Sequence, residues 1–500
     1  MSLWLLAITF YPLLLLGVFA WRKVENYSWW WIVSAPLAAL GVALLVPDTS
    51  LQVSDILFGA VWRLDEMSRP LLLMTALLWS IAGLFAIGYM EQAALRRFTL
   101  FWLLTMIGNF TLIMAQDIAG FYTGFALMTF AGYGLVVHTL KKDALRAGKI
   151  YIAMAILGEV MILAGFIAIL PDAVEPMLYY VPLAIAEHDQ GLLIAGLLFA
   201  GFGVKAGVLG LHFWLPLAHP VAPTPASAVL SGAMIKAGLI AWMQVLPLGA
   251  EYTPLITLDT FAYVVMALGL AASFLAAILG VVQLKPKAVL AYSSISQMGL
   301  MTTLLGMALL YPELWPGVLA ALIAFSVHHG LAKGALFLGV GLVSHPGRLP
   351  RWVILTLIAL PALSLIGVPL SSGGAAKYLL KGEAYETGMG TLIFLLTFAA
   401  TATTLLMIRF ADLINGQLKV TLASGGHTQS SVHGTTQVQP ASAAMTAAVV
   451  LSVLSSLLFV WFMPIGLNLL STLNLNALWE SAWPMLVAVA AYPLLKRLSR

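Results

Sequence analysis

The sequence predicts an all-α polytopic membrane protein with about 14–15 transmembrane helices. Hydrophobic residues make up 61% of the 500 residues and charged residues only 9%, whereas soluble domains carry about 25% charged residues. Apolar segments recur along the whole chain, and each is long enough as a helix to cross a hydrocarbon core of about 30 Å. The chain therefore lacks the polar surface that a water-soluble domain needs.

Fifteen apolar segments follow one another along the chain. Their approximate limits are 3–20, 29–46, 70–90, 98–116, 118–137, 149–170, 191–211, 222–246, 258–283, 288–310, 315–343, 352–379, 389–411, 441–466 and 476–494. The first segment has no basic region before it and no small-residue cleavage site after it, so we expect a retained span. The one long polar insert, Asn415 to Pro440, is rich in Gly, Ser, Thr and His and predicts a flexible surface loop.

The charged residues predict how these spans are oriented. With the N-terminus outside, 17 Lys and Arg residues, Lys142 and Lys287 among them, fall on the inner side, and only Arg63, Arg69 and Lys381 on the outer side. Acidic residues show the opposite bias, with 4 inside and 15 outside. Because inner loops carry the basic excess, we expect a multi-pass protein of a bacterial-type inner (cytoplasmic) membrane, N-terminus outside and C-terminus inside. With the basic residues at one membrane face, the net charge of +4 does not indicate a nucleic-acid partner.

Five charged residues remain within the apolar segments: Glu159, Lys205, Lys236, Lys333 and Lys377. A charge at the centre of a membrane helix costs at least about 2.5–3.5 kcal/mol, so such residues need partners or water in the protein interior. A lysine close to a helix end can instead extend its amine to the interface, and Lys377 is the best candidate for that alternative.

Buried lysines suit proton transfer, because an amine removed from water binds its proton less tightly and a nearby carboxylate restores that affinity. Glu159 is the only carboxylate within the spans. His328 and His329 precede Lys333 by five and four residues, so His329 and Lys333 share one helix face. His212, His219 and His328 are secondary candidates, since a lone buried histidine is often a hydrogen-bonded packing residue.

Two predicted helices are interrupted next to a lysine. Lys205 is followed by Gly207 and Gly210, and Lys377 is preceded by Gly367 and Pro369. Irregular backbone at membrane depth is tolerated where it is buried in protein or lines a polar cavity, and paired interruptions are typical of transporters with inverted repeats. We expect two inverted five-helix repeats, and the chain divides into N-terminal spans, first repeat, second repeat, flexible polar loop and C-terminal spans at 1–97, 98–250, 251–414, 415–440 and 441–500.

Several motifs resemble one family. The run KAGVLGLHFWLPLAHPVAPTPASAVLSGAMIK, residues 205–236, closely resembles the signature of the antiporter-like subunits of respiratory complex I, Mrp cation/proton antiporters and membrane-bound hydrogenases. Supporting segments follow the family's order: RLDEMS at 63–68, LKPKAVLAYSSISQMG at 284–299, HHGLAKGALFLGVG at 328–341 and LSLIGVPLSSGGAAK at 363–377. The resemblance covers about residues 60 to 410.

The resemblance implies a fourteen-helix core with two inverted repeats and a line of lysines, histidines and a glutamate that conducts protons. Lys205, Lys236, Lys333 and Lys377 then look like the conducting lysines, and His329 like the histidine of an H-x-x-x-K helix. One position departs from the family: its E-L-M-S pattern is replaced by Ala126-Leu-Met-Thr129. Either Glu159 takes over as the partner of Lys205, or the first half-channel is disabled and Glu159 only neutralises that lysine.

Three functions remain open. The first is a proton-translocating antiporter-like subunit of a multi-subunit complex, similar to NADH:quinone oxidoreductase or a hydrogenase. The second is a proton-coupled module of a cation antiporter or bicarbonate-uptake complex, and the third is a structural subunit with a disabled half-channel. The expected partners are other membrane subunits, with protons, Na+ or another cation as the transported ion. The sequence predicts no cofactor, metal or catalytic residue, because it has no dinucleotide fingerprint, no recognisable quinone-specific motif and no cysteine.

Overall fold

The computed structural model describes residues 2–20, 28–54, 56–57, 59–170, 175–253, 255–423, 441–461 and 473–498. These residues form twenty α-helices and one hairpin of strands β1 (Thr49–Val53) and β2 (Ala60–Leu64). The helices are α1 (Trp4–Ala20), α2 (Ser28–Ser34), α3 (Leu37–Leu45), α4 (Ser68–Tyr89), α5 (Gln92–Met114), α6 (Ile118–Val136), α7 (Lys142–Ile169), α8 (Val181–Glu187), α9 (Gly191–Ala206), α10 (Trp214–Val221), α11 (Thr224–Val229), α12 (Lys236–Val245), α13 (Asp259–Val281), α14 (Pro286–Leu310), α15 (Trp315–Ser344), α16 (Arg351–Ile366), α17 (Ser372–Glu386), α18 (Gly390–Ala423), α19 (Ala443–Leu458) and α20 (Leu475–Leu498).

The fold class predicted from composition is confirmed. Among the described residues, 11 helices are long and apolar enough to cross a membrane. The other four predicted segments contain shorter apolar helices, with the limits 4–19, 29–45, 191–206 and 351–366. Every one of the fifteen predicted segments therefore contains a helix. Residue 20 of the first segment is described without its side chain, and residues 462–466 of the fourteenth segment, with the start and end of the chain, lie outside the described residues.

The hairpin between α3 and α4 was not predicted. Its two strands are antiparallel, with Thr49 opposite Leu64. The Val61 amide donates to the Asp117 carboxylate at 2.9 Å, and the Val61 carbonyl accepts from the Gln116 amide at 2.8 Å. Asp117 also caps the start of α6 through the Gly120 amide. Backbone N–H and C=O groups need hydrogen-bond partners wherever water is excluded. The hairpin thus provides hydrogen bonds for the backbone groups at the connection between α5 and α6.

The lower limit of the predicted polar loop is wrong. Residues 415–423 belong to α18, which continues to Ala423. The apolar side chains of Ile414 and Leu418 lie four residues apart and are fully buried, so one face of this last part of α18 packs against the protein. Residues 424–440 of the predicted loop lie outside the described residues.

Both predicted helix interruptions are present, and the first separates α9 from α10. Gly207 ends α9 in the left-handed conformation with φ of 80°, which glycine adopts without steric cost. The amides of Gly207 and Val208 both donate to the Gly203 carbonyl at 2.9 Å. Gly210 follows with a second positive φ, 86°.

The second interruption, between α16 and α17, has the same backbone course. Gly367 ends α16 with φ of 101°, and the amides of Gly367 and Val368 both donate to the Leu363 carbonyl, at 3.2 and 3.3 Å. Leu370 has a positive φ of 63° three residues after Gly367, as Gly210 does after Gly207. This local correspondence supports the equivalence of the two interrupted helices, whereas the repeat boundaries stay a prediction.

The end of α9 lies very close to the start of α12. A Cβ atom added to Gly238 on α12 would lie 2.4 Å from the Phe202 carbonyl oxygen and 2.8 Å from the Ala206 nitrogen. Both atoms belong to the backbone of α9, so no side-chain rotation relieves the clash. This approach positions Lys205, near the end of α9, relative to Lys236, at the start of α12.

We therefore expect Gly238→Ala to lower the thermal stability of the purified protein by several degrees, because overpacking a dense interior costs about 1–3 kcal/mol. Gly196→Ala on α9 is the matched control, since a Cβ there meets nothing within 4 Å. Equal melting temperatures for the two variants would contradict the close approach of α9 and α12.

Candidate functional site

Lys205 lies at the last turn of α9, directly before the first interruption. The side chain is buried, and its Nζ donates to the Tyr151 hydroxyl at 3.1 Å. That hydroxyl in turn donates to the Thr129 carbonyl at 2.8 Å. The amine also lies 5.3 Å from the centre of the Tyr151 ring and 5.7 Å from that of Trp214, the first residue of α10. Aromatic faces stabilise the ammonium form of this lysine.

Glu159 shares a cavity with Lys205. The cavity has a volume of about 20 Å³ and is lined by both residues together with Tyr151 and Trp214. No ion pair within 4.0 Å joins Glu159 to Lys205, both of which lie in the described part of the chain. The two carboxylate oxygens are buried without a hydrogen-bond partner, and the cavity has room for about one water molecule. The geometry allows a water-bridged interaction between the two groups.

Ala126 occupies the face of α6 that faces Glu159. Tyr122 and Thr129, which lie four residues before and three residues after Ala126, both lie near enough to the Glu159 carboxyl group to interact with it electrostatically, although neither makes a direct hydrogen bond to it. Residues at this spacing lie on one side of a helix. A carboxylate at position 126, as in the family pattern, would thus point toward the region that Glu159 occupies.

A second cluster joins α12 to α15. The Lys236 amine contacts Nδ1 of His329, and both side chains are fully buried. Lys236 begins α12 one residue after a π-helical turn, Leu230–Met234. Such turns are rare and occur frequently at functional sites, because the widened backbone redirects the side chains that follow.

Lys333 lies one turn beyond His329 on α15, as predicted from the spacing. Its amine donates to the Leu290 carbonyl at 2.8 Å and also contacts the Ser293 hydroxyl, both on α14. His329 interacts electrostatically with Lys236 and with Lys333. One face of α15 therefore brings two lysines from different predicted repeats next to the same imidazole.

His328 connects α15 to the second interruption. Its Nδ1 is 2.8 Å from the hydroxyl of Ser372, the first residue of α17, and that hydroxyl is 3.0 Å from the hydroxyl of Ser364 on α16. A Cβ atom at Gly373 would lie 2.8 Å from the His328 ring and 1.8 Å from the Ser364 carbonyl. Glycine is thus required where the imidazole approaches the broken helix.

Lys377 is partly buried and points back into the interruption. Its Nζ donates to the Ile366 carbonyl at 2.7 Å. Ile366 ends α16, and the last carbonyls of a helix have no partner within the helix and carry partial negative charge. The amine is therefore held at the break between the half-helices.

His212 and His219 occupy different positions near the first interruption. His212 lies within the break, with its ring stacked on Phe213 at 5.0 Å. His219 lies inside α10, is fully buried, and stacks on Phe337 of α15 at 4.7 Å. Neither ring nitrogen of His219 has a hydrogen-bond partner within the described regions. His219 interacts electrostatically with Lys287 and Lys333. Of the two histidines, His219 is therefore the one that lies among the buried lysines.

Several lysines assigned to loops from the sequence lie in helices, and two of them, Lys287 and Lys381, make contacts inside the protein. Lys287 is in the first turn of α14, and its Nζ donates to the Ala222 carbonyl at 2.8 Å. Lys381 is in α17, because that helix continues seven residues beyond the predicted limit of 379, and its amine forms an ion pair with Glu480 of α20. The sequence feature that could have indicated a buried position for these two lysines was their location directly beside an apolar segment. Their partners are distant in sequence and could not be inferred.

The largest cavity described, about 560 Å³, lies between α7, α10 and the connection of α13 to α14. Asp143, Arg146 and Lys285 line it. From the charge distribution, these residues lie on the side predicted to face the cytoplasm. The cavity reaches α10, the helix that carries His219.

Interrupted helices and buried lysines, histidines and a carboxylate that contact one another across helix boundaries define a polytopic membrane protein of the ion-transport class. A family described as NADH:quinone oxidoreductase/Mrp antiporter, transmembrane, matches residues 115–403. Because this match covers more than half of the chain, the protein belongs to that family, and the resemblance drawn from its motifs is confirmed.

Individual relatives of known sequence agree with this family assignment. Hydrogenase-4 component B of Escherichia coli (strain K12) is 30% identical over 297 residues, which cover 56% of this chain and 43% of that protein. An antiporter subunit, mnhA2, of Staphylococcus saprophyticus is 29% identical over 378 residues, or 69% of this chain and 45% of that protein. The chain thus spans about half the length of the curated relatives it matches.

Two solved structures share the fold. One is a chain of the Mrp complex from Dietzia sp. DQ12-45-1b, with a TM-score of 0.76 and 19% identity over 97% of this chain and 100% of the other. A chain of the membrane-bound sulfane sulfur reductase, an archaeal respiratory membrane complex, has a TM-score of 0.73 and 21% identity over 91% of this chain and 74% of the other. At this identity the likeness concerns the fold alone.

Proposed function

We propose that this chain is a proton-translocating, antiporter-like subunit of a larger membrane complex. The observation that carries the proposal is the contact between Lys236 and His329 in the fully buried interior, beside Lys333. Packing alone does not explain three ionisable groups at the centre of the protein, since each is costly to bury there. Family membership supports the same conclusion.

The chemistry at this centre is proton exchange between nitrogen atoms. An N–H bond of the Lys236 ammonium breaks as a proton bonds to Nδ1 of His329, which leaves a neutral amine and an imidazolium. The imidazolium then releases the proton on its other ring nitrogen, Nε2, through water to a neutral Lys333 amine, where a new N–H bond forms. His219, beside Lys287 and near the large cavity, is suited to supply protons to this centre from the side predicted to be cytoplasmic.

The energy for transport would come from partner subunits. Among the relatives are a hydrogenase component and an antiporter subunit, so either a redox reaction or an ion gradient in another subunit is a suitable drive. The antiporter relative favours exchange of Na+ or another cation for protons as the second candidate function.

Inverted membrane vesicles that contain the chain with its native partner subunits test the proposal. We expect a pH-sensitive fluorescent dye to report proton uptake that is lost in vesicles lacking this chain. Addition of NaCl or KCl separates the candidates, since only cation exchange would release the accumulated protons. Equal proton uptake with and without the chain would contradict the proposal.

The proposal includes an orientation with the N-terminus outside and the C-terminus inside. Because the chain has no cysteine, single variants report position without further changes. We expect Asp189→Cys to react with an impermeant maleimide in intact cells, and Lys142→Cys to react only after the cells are opened. Both positions are exposed: Asp189 lies in the turn between α8 and α9, and Lys142 is the first residue of α7. Strong labelling at position 142 in intact cells would reverse the orientation.

A further inference from the structure

The region beyond Lys377 contains a polar row that the proton path above does not use. Lys377, Lys381 and Tyr385 lie four residues apart on α17, so they share one face of the helix. Lys377 and Lys381 line a cavity of about 30 Å³ together with Glu480 of α20. This volume is enough for one or two water molecules.

Glu480 is held from two sides. The Lys381 amine forms an ion pair with one carboxylate oxygen, and the Tyr385 hydroxyl donates to the other. The partners are 99 and 95 residues away from Glu480 in the chain. Their contact therefore exists only because α20 packs beside α17.

Exposure increases along this row. The side chain of Lys381 is 12% exposed, that of Glu480 is 26% exposed, and Tyr385 is 49% exposed. The row thus leads from the interrupted helix to the surface at the end of α17. From the charge distribution, that end of α17 faces outside. A carboxylate at the boundary between a wet cavity and bulk water can accept a proton from one side and release it to the other.

We propose that Glu480, with Lys381, forms the outer release site of the proton path. The inference rests on the proposed function. An N–H bond of the Lys377 ammonium breaks, and the proton passes through water in the cavity to the Glu480 carboxylate, where an O–H bond forms. Neutral Glu480 no longer attracts Lys381 as an ion. The proton then leaves for outside water, the ion pair forms again, and the neutral Lys377 amine takes up the next proton from the inner part of the path, so charge and atoms balance over the cycle.

A purely structural link between α17 and α20 is the alternative. The structure provides a matched comparison, because α20 is also held to α18 by the ion pair of Lys496 with Asp412 at 2.7 Å. The Thr401 hydroxyl also donates to the Pro484 carbonyl at 3.0 Å. Loss of one carboxylate contact should therefore leave α20 in place.

The test uses the complete complex in inverted vesicles, with Glu480→Gln as the main variant. Gln keeps the shape: its amide oxygen can accept the hydrogen bond of Lys381 and its amide nitrogen can donate to the Tyr385 hydroxyl, but it cannot carry the proton. We expect proton flux to fall by an order of magnitude or more while the amount of assembled complex is unchanged. Glu480→Asp should recover part of the flux, and Asp412→Asn should retain wild-type flux.

The outcomes separate the two proposals. Proton flux in Glu480→Gln within twofold of a working wild type would overturn the release site and leave the proposed function intact. Equal losses of assembly in Glu480→Gln and Asp412→Asn would show a structural link and also overturn it. If Glu480→Gln fails to assemble, Lys381→Met and Glu480→Asp test the release site instead. Full proton flux in assembled Lys381→Met would contradict the inference. Absence of proton flux in assembled Glu480→Asp would also contradict it. A wild type that moves no protons contradicts the proposed function itself.

Discussion

Lys236→Met is expected to abolish proton translocation while the complex still assembles. Methionine fills nearly the same space as the lysine stem but has no amine, so His329 loses the nitrogen with which it exchanges a proton. The imidazole left without that partner costs about 1–3 kcal/mol of stability, which a dense interior with many other contacts tolerates. Dye-based proton uptake in inverted vesicles, normalised to assembled complex, measures the effect.

Two further variants test whether the charge itself or its exchange matters. Lys236→Arg should also fail, because guanidinium keeps its proton at any pH in use. Lys149→Met is the matched control, because Lys149 on α7 is exposed. We expect this variant to translocate protons at the wild-type rate. Full proton uptake by Lys236→Met would refute a conducting role for Lys236.

Glu159 and Lys205 are expected to act as one functional pair. Glu159→Gln and Lys205→Met should each strongly impair proton uptake, and the double variant should be little worse than either single one. The reason is that removing one member of a buried pair leaves the other charge without compensation, which costs several kcal/mol, so the effects of the two changes do not add. A double-mutant cycle on uptake rates measures this coupling.

Ala126→Glu in the Glu159→Gln background should restore part of the transport. Position 126 lies between Tyr122 and Thr129 on the face of α6 that interacts with Glu159, so a carboxylate there can reach the same cavity. Unchanged proton uptake in Glu159→Gln alone would contradict the partnership. That result would favour the alternative in which the first half-channel does not conduct.

The sequence predicted the candidate residues better than their contacts. Lys205, Lys236 and Lys333 stood out because a charge inside an apolar segment is costly wherever the chain folds, and the structure buries all three. The interruptions at Gly207 and Gly367 were visible for a similar reason, since glycines at such a break allow a backbone course that other residues resist. Lys377 was harder to assign, because only the fold distinguishes a lysine at a helix break from one that reaches the interface.

Contacts between distant segments were not available from local patterns. Lys236 meets His329 across 93 residues, and Lys381 meets Glu480 across 99. Lys287 and Lys381 were assigned to loops because hydropathy ends a segment at the first charge, whereas the helices continue past it. The hairpin of β1 and β2 has no strong alternation of its own, and it is stabilised by the connection between α5 and α6.

Composition and spacing by themselves determined that this is a polytopic membrane protein with interrupted helices and costly buried charges. These properties follow from the free energy of transferring each segment from water, which depends on local sequence alone. Which charge meets which partner was decided only by the tertiary structure. Helix packing sets those distances, and Gly238 against the backbone of α9 is one example. The approach of α6 to α7 likewise places Ala126 opposite Glu159, and the packing of α20 places Glu480 beside Lys381.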